Sequence, residues 1–100
     1  MIFMLVSKDS RVPQLLRVKV PRRLEAQPYQ GFISRELAEQ CMKLRGISAD
    51  WAGIAPSSEV EAFMEAGIDV LVYRSIEQVQ DAMKDPEGYD YESLIERHGV

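Results

Sequence analysis

Two short stretches hold the residues best suited to grip a small ligand. Ala55-Pro56-Ser57-Ser58 and Tyr73-Arg74-Ser75 each follow an apolar run and precede a helical pattern. A helix N-terminus offers unpaired N–H groups and a partial positive charge to an anion. Arg74 adds a guanidinium that can hold phosphate or carboxylate through two parallel hydrogen bonds. Ser57, Ser58, Arg74 and Ser75 are therefore the candidate anion-binding set. The competing account makes the serines plain helix caps and Arg74 half of a surface ion pair, since neither turn is glycine-rich.

A second set is cationic. Arg17, Lys19, Arg22 and Arg23 lie in a stretch, Ser10 to Leu24, that has no carboxylate. Such a stretch suits nucleic acid or an acidic partner. It lacks the interleaved aromatics that stack on bases, so nucleic-acid binding here would be weak and salt-sensitive. The third set is aromatic. Tyr29, Phe32, Tyr89 and Tyr91 fall in or beside segments read as loops, where aromatic side chains can anchor a protein interface.

Catalytic patterns are missing. The chain has no G-x-S-x-G elbow, no P-loop, no G-x-G-x-x-G and no H-E-x-x-H. Its one histidine, His98, is read in the last turn of a final helix, beside the helix dipole. The one cysteine, Cys41, sits on an apolar helical stripe and reads as a buried small hydrophobe. The carboxylates Asp81, Asp85, Glu87, Asp90, Glu92 and Glu96 lack the spacing of a calcium loop and read as a solvated acidic face. No metal and no cofactor is expected.

The elements that position these residues follow from periodicity. Ile2–Val6 is apolar on both faces and suits a central strand. At six residues, the opening apolar run Met1–Val6 is too short for a signal peptide. Leu15–Val20 alternates, with Arg17 and Lys19 on the polar side. Arg22–Phe32 shows no period and reads as a loop. Ser34 caps a helix ended by Gly46. Asp50–Ala55 is a strand candidate. Ser58 with Glu61 forms a capping box for a helix that turns Val60, Phe63 and Met64 inward. Ile68–Tyr73 is rich in β-branched residues and makes the clearest strand. Ser75 with Gln78 opens a helix that Asp85-Pro86 ends. Asp90 opens a last short helix, with Tyr91, Leu94 and Ile95 inward.

This order, β-β-α-β-α-β-α-α, predicts one domain over residues 1–100. Its class is α/β (or α+β), a four-stranded mixed sheet with a right-handed parallel crossover over residues 50–73. Charge is split between the halves. Residues 1–50 hold nine Lys/Arg and five Asp/Glu, and residues 51–100 hold three and eleven, for a net charge of −4. The halves either neutralise each other or offer opposite surfaces to partners.

The expected function is a small non-enzymatic interaction or regulatory domain acting through a protein partner. A second copy of the chain is also considered as that partner. The alternatives are an anion or phosphate site at the strand-to-helix turns and a nucleic-acid binder along the basic strand edge. The lone free cysteine fits a reducing, cytoplasmic setting, and no apolar run is long enough for a membrane span.

Overall fold

The computed structural model describes residues 1–8, 14–64 and 66–98. At its centre is β1 (Phe3–Ser7), whose Met4 and Leu5 point to opposite faces and are both buried. β4 (Ala52–Pro56) runs antiparallel along the whole of one edge of β1. The other edge is shared by β3 (Tyr29–Phe32), opposite Phe3 and Met4, and β2 (Gln14–Leu15), opposite Val6 and Ser7. Beyond β3 lies β5 (Ile68–Tyr73), parallel to it, and then β6 (Ile95–His98), antiparallel to β5.

The expected mixed α/β architecture is present, with six strands among the described residues instead of four. The parallel pair is β3 with β5. β4 and β5 are not neighbours, because β1 and β3 lie between them. The segment expected as a loop holds β3. Its four residues are all buried, so it lacks the alternation that marks a half-exposed strand. The second strand is shorter than expected, with Arg17 joining Tyr29 through a single bridge.

α1 (Arg35–Arg45) and α3 (Ile76–Lys84) pack on one face of the sheet. Ser34 caps α1, its Oγ accepting from the Leu37 N–H at 3.1 Å, and Gly46 ends it in the left-handed region at φ 67°. Phe32 and Tyr73 stack beneath these helices at 5.7 Å between ring centres.

The opposite face is covered thinly. α2 is a single turn (Ser57–Val60) followed by a 3-10 turn (Glu61–Phe63), with Val60 and Met64 inward over Met4, Tyr29, Val70 and Val72. The Ser58–Glu61 capping box does not form. Phe63 points outward, 45% exposed. The cause is local: the chain leaves the α-helical path at Val60 (φ −119°, ψ 2°), which turns Phe63 away from the sheet.

The final helix is not formed either. A 3-10 turn at Glu92–Leu94 buries Tyr91 and Leu94, and the chain then pairs as β6, with Ile95 opposite Leu71 and His98 opposite Ile68. No helix among the described residues is long and apolar enough to cross a membrane.

Candidate functional site

The backbone alternation of β1 decides what β4 presents to solvent. Ile2 and Lys8 bond toward β4: the Ser57 N–H donates to the Ile2 carbonyl at 2.7 Å, and the Lys8 N–H donates to the Trp51 carbonyl at 2.8 Å. Leu5 bonds the other way, its carbonyl accepting from the Leu16 N–H at 2.9 Å. Opposed residues in an antiparallel pair face each other or face away together. Ile54, opposite Leu5, therefore turns its N–H and carbonyl outward.

Little along that outer edge is already used. The Arg35 Nη1 reaches the Ile54 carbonyl at 3.4 Å, the Ala52 N–H donates to the Ser48 carbonyl at 3.2 Å, and Pro56 has no N–H to offer. The Ile54 N–H remains an open donor, and among the described residues β4 pairs with β1 alone.

Beside this edge lies a cleft of about 320 Å³, between β4 and α1. Among the described residues, Lys8, Arg35 and Lys43 line it together with one carboxylate, Glu39, and the apolar groups of Met42, Ile47 and Ile54. Lys8 is held in place by its Nζ, which donates to the Ala49 carbonyl at 2.6 Å. The Arg35 guanidinium lies over the Phe3 ring at 5.4 Å. Trp51, 42% exposed, stands just before the strand.

The opposite sheet edge is different. β6 carries Glu96, which pairs with Arg74, and Arg97, which approaches Asp69 at 3.5 Å. Charged side chains on an edge strand discourage further strand pairing. β4 reads Ala-Gly-Ile-Ala-Pro and carries no charge.

The residues singled out from sequence are dispersed. Ser57 is buried, and its Oγ accepts from the Ile2 N–H at 3.4 Å, while Ser58 is exposed. Ser75 caps α3, accepting from the Gln78 N–H at 3.4 Å. Arg74 is paired with Glu96. With two strands between β4 and β5, the two turns stand roughly 14 Å apart by strand spacing, so the expected convergence at one point is not formed.

Among the cations, Arg17 lies over the Tyr29 ring at 4.4 Å, and Lys19 and Arg22 are exposed. Arg23 is folded inward, its side chain only 6% exposed. It bonds to Asp69, to Glu92 at 3.1 Å, to Glu25 at 3.3 Å and to the Ala26 carbonyl at 2.9 Å. Burial lowers its pKa, but the hydrogen bonds and charges of Asp69 and Glu92 outweigh this and leave it raised. Of the aromatics, Tyr29, Phe32 and Tyr91 are core residues and Tyr89 is half-buried, edge-on to Tyr91 at 5.0 Å. They are not exposed anchors, because β3 and the turn before β6 bring them under the helices or into the sheet.

Cys41 is fully buried. Burial pushes its thiol up, while Arg45 and Gln30 pull the other way. A protonated, inaccessible thiol is no nucleophile. Among the described residues no group of three His, Cys, Asp or Glu is placed to hold a metal ion. Sequence reasoning missed Lys8, Arg35 and Lys43. Arg35 and Lys43 share α1, but Lys8 is far from them in the chain, and only the β1–β4 register and the packing of α1 bring it to them.

No known protein family, curated protein or solved structure matches the chain.

Proposed function

We propose that this chain is a docking domain that takes an extended, acidic segment of a protein partner along the free edge of β4. The observation that carries this reading is an uncharged edge strand with an open Ile54 N–H, set beside a cleft that the described residues line with three cations and one carboxylate. Strand addition draws affinity from main-chain hydrogen bonds and specificity from alternate side chains. One face of the added segment would lie over Arg35 and Lys43, which favours Asp or Glu at alternate positions. The absence of any catalytic pattern in the sequence fits a role in binding rather than turnover.

The test is capture of a partner by the wild-type chain and by three variants. Ile54→Pro removes the outward N–H, which takes no part in the β1–β4 ladder, and also trims a side chain packed against the core, so the variant's fold is checked by thermal unfolding first. Lys43→Glu reverses one cation of the cleft. Phe63→Ala changes the far face of the sheet. The expected result is a stoichiometric partner that Ile54→Pro loses, Lys43→Glu weakens at least about tenfold by loss of a charge-assisted contact, and Phe63→Ala retains. A partner kept by both β4-side variants, or lost only with Phe63→Ala, contradicts the reading.

A further inference from the structure

A second site lies across α1 from the β4 cleft and does not depend on it. Arg45, the last residue of α1, is half-buried and has no carboxylate partner among the described residues. Its Nη2 donates to the Tyr73 hydroxyl at 3.1 Å. Its Nε is fully buried with no hydrogen-bond partner, as is the Nε2 of Gln30. Both side chains act on the Cys41 sulfur, but a thiol is a weak acceptor. The C-terminal end of the α1 dipole offsets part of the Arg45 charge, and no anion offsets the rest.

Arg45 opens onto a groove of about 470 Å³, within the range typical of small-molecule sites. Lys19 stands at its rim, and Val18, Ala82, Met83, Pro86 and Tyr91 supply a mostly apolar lining. Among the described residues no Asp or Glu lines it. The acidic groups nearby, Asp85 and Glu87, flank Pro86 and act on Tyr91 alongside Arg45, and Asp85 Oδ1 is already accepting from the Gly88 N–H at 3.1 Å. The groove thus combines two cations, Lys19 and Arg45, with a mostly apolar lining.

We propose that this groove binds a small carboxylate with an apolar body. The carboxylate meets Lys19 and Arg45, and the aliphatic or aromatic part lies along Val18, Ala82, Met83 and Pro86. A bare inorganic anion would leave the apolar lining in water. A neutral apolar molecule would leave Arg45 without a counterion.

The test is a nitrogen-15 NMR titration of the full chain with phenylacetate, with its neutral amide phenylacetamide, and with inorganic phosphate. Phenylacetate should shift the Ala82, Met83 and Tyr91 amides saturably and bind at least about tenfold more tightly than the amide, the usual worth of a charge-assisted contact, and at least about tenfold more tightly than phosphate, through burial of its ring on the apolar lining. Lys19→Glu, an exposed substitution that leaves the core untouched, should weaken phenylacetate by a similar factor. Arg45→Gln should weaken it further, and Lys43→Glu, on the β4 side, should not. No saturable shift with phenylacetate, equal binding of the amide or of phosphate, or indifference to Lys19→Glu overturns the proposal.

Discussion

Tyr73 and Arg23 show how single side chains set the energetics of this fold. Burial lifts the Tyr73 hydroxyl to about 12, against the partial pull of Arg45 in the other direction. An acid whose folded pKa exceeds its unfolded value of about 10 contributes stability that is full below pH 10. That stability is lost as pH rises through the folded value, because the unfolded chain gives up the proton first. Denaturant unfolding followed from pH 9 to pH 12 should show a decline of about 2–3 kcal/mol from this group. Tyr73→Phe should flatten the decline, and an unchanged slope in that variant would place the titration elsewhere.

Arg23 owes its inward course to the turn before it. Arg22 adopts φ 66°, and the Arg23 N–H donates back to the Val20 carbonyl at 3.3 Å. Arg23→Met would leave Asp69, 15% exposed, with Arg97 at 3.5 Å as its one remaining ion-pair partner among the described residues. Loss of one partner from a buried pair is costly, and urea unfolding should show a destabilisation of about 2–3 kcal/mol, moderated by Arg97.

At the scale of elements, the short cover over the second sheet face is where sequence and structure part. Val60, Phe63 and Met64 have helical spacing, so the sequence points all three inward. The break at Val60 turns one of them out. Phe63→Ala should therefore change stability by no more than about 0.5 kcal/mol, as a surface substitution does. Val60→Ala, at a position 2% exposed, should cost about 2 kcal/mol. A thermal unfolding comparison of the two variants checks this, and the reverse ranking would put the wrong face inward.

α1, α3, β1 and β5 were legible because their apolar positions keep one period and their ends carry caps or breakers. β3 was not, since Pro28, Gln30 and Gly31 give no pattern until the sheet surrounds them. A Cβ on Gly31 would lie 3.2 Å from Val70 Cγ1 and 3.3 Å from Met4 Sδ, contacts that long-range pairing creates. β6 was hidden for the opposite reason. Glu96 and Arg97 read as polar helix surface, and only the register with β5 gives them partners.

Across the whole molecule, the split in charge is partly resolved within the fold. Arg23 from the basic half meets Asp69 and Glu92 from the acidic half. Among the described residues, the cations around β4 come from two separate segments: Lys8 follows β1, and Arg35 and Lys43 lie eight residues apart on α1. This explains why the basic stretch read from sequence and the cationic cleft of the structure have no residue in common. A site assembled by register cannot be seen as a run of like residues.

The central claim is that β4 is an open edge completed by a partner strand, and amide hydrogen exchange at Ile54 tests it most directly. In the free chain this N–H faces outward without an acceptor and should exchange rapidly, whereas those of Gly53 and Ala55, turned toward β1, should be protected. On addition of a capped hexapeptide of alternating glutamate and valine, Ile54 should become protected, and the effect should weaken with salt. An Ile54 amide already protected in the free chain, or one still exchanging freely with the peptide bound, would contradict strand addition at this edge.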